Sequence, residues 1–239
     1  VKVAHLKRLT APEFWPTHTR GYTWTFKPSP GPHKKDECIP LAIIVRDILK
    51  LAETGKEAKK IIKMGEIIVD GKVRKDYRYP VGLLDSISIP KIKKYYRVVP
   101  HKNGLKLIEI DEEESRKKIL KIVNKTSVRG GKIQLNLNDG KNILTGEKTY
   151  KTNDSILVEL PSLKILDYIE MKEGNLVIIT SGKKSGEIGK ITKIYEGKFN
   201  VKPSIECEIG KEKLRVLKEY AIVIGRDKPL IKVSEHEYE

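Results

Sequence analysis

Apolar residues at Leu41, Ile44, Val45, Ile48, Leu49 and Ala52 recur at i, i+3, i+4, i+7, i+8 and i+11. That period predicts an amphipathic helix over 41–53, with Pro40 suited to its first turn. Thr54-Gly55 separates it from a second helix beginning at Lys56, in which Ala58, Ile61 and Ile62 can face a core. Lys56, Lys59, Lys60 and Lys63 fall at i, i+3, i+4 and i+7, so one face of this helix carries four ammonium groups. Gly65 stands where a glycine free to take positive φ closes a helix. Ile67, Ile68 and Val69 then read as a strand, and Asp70-Gly71 as a tight hairpin turn. Lys72, Arg74, Lys75 and Arg78 lie beyond the turn, so the cationic helix and a cationic hairpin are expected to share one surface.

Later segments alternate with period two. The basic run Lys91, Lys93, Lys94, Tyr95, Tyr96, Arg97 reads either as a linker or as a strand, and GLKLIEI (104–110) alternates as a half-buried strand does. Asp111 to Glu114 precede Arg116, Lys117 and Lys118, an order that suits the helix dipole and predicts a short helix over 111–123. From Lys125 onward KIQLNLN, SILVEL and KILDYI predict strands, giving a small antiparallel sheet or barrel over about 92–168. In 171–197, Val177, Ile178 and Ile179 form a strand, SGKKSGEIG a glycine-rich cationic loop, and Ile188, Ile191 and Ile194 the return. Strands over 198–209 and 214–224 would complete a second barrel, leaving 226–239 as a loose tail. Residues 1–40 hold six of the twelve prolines, which interrupt helices and central strands, and are expected to be an irregular arm ordered only against a partner. The other reading of the arm is that its rings pack on the globular body.

Charge sharpens this division. The 239 residues contain 48 Lys and Arg against 32 Asp and Glu, a formal net charge of +16 with a pI near 9.6. Residues 1–100 hold 21 of those cations against 10 acids, so the excess sits in the first half. Nucleic acid is the default partner of such a chain. Both tryptophans and two of the three phenylalanines lie in the arm, interleaved with His5, Lys7, Arg8, His18, Arg20 and Lys27. Cations that meet phosphates beside rings that stack on unpaired bases suit RNA. A membrane partner would need a basic amphipathic helix with an aromatic-rich apolar face, and none stands out.

Catalytic chemistry is missing. Cys38 and Cys207 form neither a zinc set nor a disulfide framework, and the five histidines have no metal-ligand spacing. The glycine-rich loop at 181–189 fails the phosphate-loop pattern, and neither a nucleophile elbow nor a dinucleotide fingerprint occurs. The acids at 111–114 read as a solvated helix start, and Asp85 as a turn cap. No apolar run reaches membrane-span length and no signal-peptide pattern opens the chain, so a soluble intracellular protein is expected. No metal, cofactor or small-molecule substrate is expected.

The run from Lys56 to Gly65, the IIVDGKVR hairpin and VGLLDSISI resemble an S-four-type RNA-binding domain, a helix pair with a hairpin. MKEGNLVIITSGKKSGEIGKITKIYEG (171–197) resembles a KOW motif, with Gly186 where that family uses a glycine. With HLKRLTAP (5–12), PSPGPHKKDECIPL (28–41), DGKVRKDYRYPVGLLDSISI (70–89) and AIVIGRDKP (221–229), nearly the whole chain resembles the S-four-e family of small-subunit ribosomal proteins, of archaeal and eukaryotic type. The short stretch after Pro229 points to an archaeal-type member. The fold class implied is α+β, mostly β: an S-four-like helix pair with hairpin, then a small antiparallel β domain and a KOW/SH3-like barrel. The expected division is an arm at 1–40, the S-four-like domain at 41–91, the β domain at 92–170, the KOW-like barrel at 171–225 and a tail at 226–239.

The resemblance implies a structural role in the small subunit, on the ribosome in the cytoplasm, with ribosomal RNA and neighbouring ribosomal proteins as partners. Side-chain chemistry then assigns backbone phosphates to Lys56, Lys59, Lys60, Lys63, Lys72, Arg74, Lys75 and Arg78. Lys7, Arg8, Trp15, Arg20, Trp24, Lys34 and Lys35 are expected to thread an RNA crevice. Lys183 and Lys184 are expected to make a secondary contact with RNA or a neighbouring protein. The alternatives are an RNA-modifying enzyme, since S-four-like modules also accompany pseudouridine synthases and methyltransferases, and a KOW-type transcription elongation factor. Residues 92–239 are short and featureless for a catalytic domain, and the elongation factors normally lack the S-four-like unit.

Overall fold

A computed structural model describes residues 5–16, 23–147, 149–197, 199–210 and 212–234. The chain forms two compact units, residues 1–98 with 103–115, and residues 99–102 with 116–239.

In the first unit, the expected helix over 41–53 is shorter and wider. Leu41–Ile43 is α-helical and Ile44–Ile48 is a π-helix, with Leu49 N–H donating to the Ile44 carbonyl at 2.8 Å and Leu51 N–H to that of Val45 at 2.9 Å. Residues 41–45 are all fully buried, so the segment is enclosed on every side instead of lying on a surface. It stops because Lys50 turns to φ 53° and Glu53 and Thr54 already belong to the next helix start. That next helix, Gly55–Met64, opens with a capping box. The Thr54 hydroxyl accepts from Glu57 N–H, while the Glu57 carboxylate accepts from the Glu53 and Thr54 N–H groups. Those bonds hold the Glu57 carboxyl below its ordinary pKa. Gly65 ends the helix at φ 80°, and Ala58 and Ile62 point into the core.

The hairpin pairs Ile68–Val69 with Lys72–Val73. Asp70 at φ 51° and Gly71 at φ 71° give both central positions the positive φ of a type I′ turn. Asp70 also accepts a hydrogen bond from Ser86 N–H at 3.1 Å, which ties the turn to the strand Ser86–Ile89. The five-stranded sheet then continues through Lys94–His101 and Gly104–Glu109, so the basic run at 91–97 is mostly strand. By hydrogen bonding, 94–109 extends the hairpin's sheet across the division expected at 91.

The arm does not behave as expected. Leu6–Lys7 pairs with Trp24–Thr25, and Leu6, Phe14, Trp15 and Phe26 join the core that the two helices build. Trp15 is 2% exposed and its Nε1 donates to the Cys38 carbonyl at 2.8 Å. Prolines fix an extended path with few donors to satisfy, so the bulky rings gain more by burial than by waiting for a partner. Of the described residues, the arm is thus part of the packed unit.

In the second unit, the central sheet runs in the order Asn142–Thr145, Ile133–Leu137, Lys117–Ser127, Ser155–Glu159, Lys164–Ile169, all antiparallel. The expected helix over 111–123 is confined to Glu112–Ser115; from Lys117 the chain is an eleven-residue strand. Two lysines on that strand are buried instead of solvated. Lys118 faces Asp139 at 3.5 Å, with Lys141 at 2.9 Å from the same carboxylate. Lys121 donates to the carbonyls of Lys218, Glu219 and Ala221, and burial pushes its ammonium down to about 8. Together with Val223 N–H donating to Ser155 Oγ at 3.1 Å, those bonds join the central sheet to the C-terminal one.

The C-terminal sheet has the order Glu212–Leu217, Ser204–Ile209, Ile188–Tyr195, Leu176–Ile179, Ala221–Gly225. Val177, Ile191, Ile205, Cys207 and Val223 meet in one cluster, so the sheet curls around its own core. The described residues 226–234 are not the loose tail expected there. Leu230 N–H donates to the Ile224 carbonyl, and Ile231 and Val233 are buried. Gly225 permits this return, because a Cβ there would lie 2.0 Å from the Lys228 carbonyl oxygen.

Candidate nucleic-acid interface

The capping box and the type I′ turn fix where the cations of the first unit stand. Lys56, Lys60 and Lys63 are exposed on the helix, and Lys72, Lys75 and Arg78 on and after the hairpin. The two elements touch at the helix end, where a Cβ on Gly65 would lie 3.1 Å from Val73 and 3.4 Å from Lys75 Cε. Lys59 leans inward, its Nζ 4.6 Å from the Tyr77 ring centre and 5.7 Å from that of Phe26. Arg78 flanks the same Tyr77 ring at 5.7 Å, and Arg74 covers Tyr79 at 4.3 Å. The fold thus brings all eight expected phosphate contacts of helix and hairpin into one neighbourhood.

None of these eight cations has a carboxylate partner among the described residues, and Arg74 Nε is buried without a hydrogen bond. The acids nearby are occupied otherwise: Glu57 caps the helix, and Asp76 accepts from Ser29 Oγ and Arg78 N–H. Several cations elsewhere are paired. Glu170 holds Lys151 and Lys172, Glu219 holds Lys202, Glu66 holds Lys91, and Glu114 holds the fully buried Arg97. Burial lowers the Arg97 guanidinium, and Glu114 acts against it.

The other expected contacts divide. Lys7 is exposed on the arm's short strand, and Trp24 opposite it is 54% exposed, with its ring 5.4 Å from that of His5. Arg8 is half-buried, which lowers its guanidinium while Asp47 raises it. Lys34 lies 3.8 Å from Glu37, and Lys35 reaches the Thr10 carbonyl. Trp15 has no ring face to offer, being enclosed in the core; the expectation that it threads RNA is corrected by its burial. Arg20 lies outside the described residues. In the glycine-rich loop Lys183 is exposed, whereas Lys184 is shared between Glu187 at 3.5 Å and Glu212 at 3.2 Å. Gly186 adopts φ 89°, and a Cβ there would meet the Pro100 carbonyl at 2.6 Å.

Groups that might have signalled catalysis have structural partners. Asp85 accepts from Gly82 N–H at 2.8 Å and lies 3.0 Å from His33 Nε2, so it caps a turn. Burial raises the Cys38 thiol to about 12 and the Cys207 thiol to about 11, so neither supplies a thiolate near neutrality. Among the described residues no three His, Cys, Asp or Glu side chains are grouped to hold a metal, and no helix is long and apolar enough to cross a membrane.

Comparison with known proteins covers nearly the whole chain. Residues 92–165 match the ribosomal family S4e, flanked by an RS4NT domain at 3–36, an S4 domain at 39–87 and a KOW motif at 173–206. The small ribosomal subunit protein eS4 of Archaeoglobus fulgidus is 48% identical over 231 residues, covering 95% of this chain and 97% of the relative. The chain belongs to the S4e family of ribosomal proteins. The eS4 protein of Methanothermobacter thermautotrophicus is 45% identical over 95% of this chain and 94% of its own. The crystal structure of 30S ribosomal protein S4e from Thermoplasma acidophilum superimposes with a TM-score of 0.69 at 33% identity, over 80% of this chain and 96% of that one. S4e proteins are structural ribosomal proteins and this member is not an enzyme. Its unpartnered helix and hairpin cations fall within or beside the matched S4 domain, and its glycine-rich loop within the KOW motif.

Proposed function

We propose that this S4e protein is a structural constituent of the small ribosomal subunit and holds ribosomal RNA through the cationic face of Gly55–Met64 and the adjoining hairpin. The observation that carries the reading is the gathering of eight cations on one helix and its adjoining hairpin, none with a carboxylate partner among the described residues. Such a face repels itself until anions approach, and a polyphosphate that displaces counterions relieves that repulsion. Trp24 and Lys7 extend the contact within the first unit, and Lys183 offers a separate contact on the second. Neighbouring ribosomal proteins are the second class of partner.

Lys60 and Lys63 are the residues to test, since both are exposed and neither touches a ring or a cap. Reversing both to Glu should weaken binding to small-subunit ribosomal RNA by about tenfold or more. Circular dichroism and the melting temperature should be unchanged. Equal binding by the reversed and natural chains at matched salt would refute this surface.

A further inference from the structure

Three cations of the proposed RNA face, Lys59, Arg74 and Arg78, lie against rings, whereas Lys91, Lys151, Lys172 and Lys202 are held by carboxylates. Lys59 Nζ sits 4.6 Å from Tyr77 and 5.7 Å from Phe26, Arg78 Cζ lies 5.7 Å from Tyr77, and Arg74 Cζ lies 4.3 Å from Tyr79. Phe26 and Tyr77 meet edge-on at 5.8 Å, so one ring from the arm and one from after the hairpin form a single mount. Phe26 is itself wedged against the helix start, where a Cβ on Gly55 would come within 2.9 Å of its ring. We infer that Phe26, Tyr77 and Tyr79 are positioning residues of the RNA-binding face, ordering Lys59, Arg78 and Arg74 for phosphate without neutralising them. The inference rests on the reading that this face binds RNA.

The physical difference between the two kinds of partner decides the case. A carboxylate orders a cation and cancels its charge, so a phosphate must displace it. A ring orders a cation through its quadrupole and leaves the full charge available. A long cationic side chain otherwise loses rotamer freedom on binding, and a ring that has already ordered it removes part of that cost. Arg46 marks the boundary of the device: it also covers Phe26, at 5.1 Å, but is bonded twice to Asp47 and so carries no free charge. Tyr195 in the C-terminal sheet provides the contrast. Lys193 and Arg215 flank its ring at 5.4 and 4.5 Å, yet its hydroxyl donates to Glu206, which stands between those two cations in the strand register. Around Phe26, Tyr77 and Tyr79, by contrast, Lys59, Arg74 and Arg78 have no ion pair among the described residues.

The test measures binding of the full chain to in vitro transcribed small-subunit ribosomal RNA across a potassium chloride series. Tyr77→Leu should lose about fivefold in affinity, the size expected when two exposed cation–ring contacts go. The slope of log affinity against log salt should stay the same, because the number of phosphate contacts is unchanged. Tyr77→Phe, which keeps the ring, should recover most of that loss. In a Lys59→Ala/Arg78→Ala background, Tyr77→Leu should have little further effect, since the cations through which the ring acts are gone. Natural-chain binding that Tyr77→Leu leaves untouched would overturn the inference alone. So would a Tyr77→Leu loss that persists undiminished in the double-alanine background, which would mean that the ring stacks on a base or supports the fold. Failure of the natural chain to bind the RNA would instead refute the ribosomal reading, and this inference with it.

Discussion

Asp139 illustrates how single residues hold the second unit together. Its side chain is 1% exposed, as is that of Lys118, and Lys141 closes the cluster from the surface. Burial, the largest influence, raises the Asp139 carboxyl, but Lys118 and Lys141 together outweigh it and hold the group below its ordinary pKa. A carboxyl depressed in the fold contributes stability that is fully present above its unfolded pKa and is lost as pH falls through the folded value. Replacing Asp139 with Asn removes the carboxylate charge that faces both Lys118 and Lys141, which should lower stability in urea denaturation near neutrality by about 1–3 kcal/mol. The difference in stability between the natural chain and the variant should shrink as the pH is taken below about 4, the range of an unfolded Asp. Little of this was legible beforehand. Lys118 read as part of the basic end of a short helix over 111–123, which also spans Lys121, because sequence offers no sign that their partners, Asp139 and the carbonyls at 218–221, lie so far along the chain. Trp15 misled for the same reason: its partner, the Cys38 carbonyl, is 23 residues away, while its own neighbourhood is basic and rich in proline.

At the scale of elements, local chemistry decided what could be read. The lysine helix, its Gly65 stop and the Asp70-Gly71 turn are all specified within a few residues of themselves, and all are present. The KOW hairpin is equally local, with Leu176–Ile179 and Ile188–Tyr195 flanking the glycine-rich loop. The Thr54-x-x-Glu57 box was equally available as a sequence signal and marks the helix start that spacing alone left at Lys56. Thr54→Ala removes the hydroxyl that accepts from Glu57 N–H and should cost about 1 kcal/mol, seen as a lower urea midpoint with an unchanged slope. The first helix escaped because its apolar period describes burial on one side, whereas residues 41–45 are buried on all sides and the chain widens into a π-helix. The strand from Lys117 to Ser127 escaped because its ladder partners, 133–137 and 155–159, come later in sequence and override a helical charge pattern.

For the whole molecule, the cationic excess of the first hundred residues was readable directly, and the proposed face lies within that region. What composition could not convey is which cations are free. That depends on tertiary pairing, which leaves the helix and hairpin cations without carboxylates and gives Lys184, Lys202 and Arg97 theirs. Such a free cationic face belongs to a chain that is an integral part of the small ribosomal subunit, held there by ribosomal RNA as proposed above. Sedimentation of a cell extract through sucrose gradients at low and high salt, with detection of this chain in each fraction, tests this placement most directly. The chain should stay in the small-subunit peak through a high-salt wash, because the cationic face and the folded arm act together on one RNA. Release into the light fractions even at low salt would contradict it.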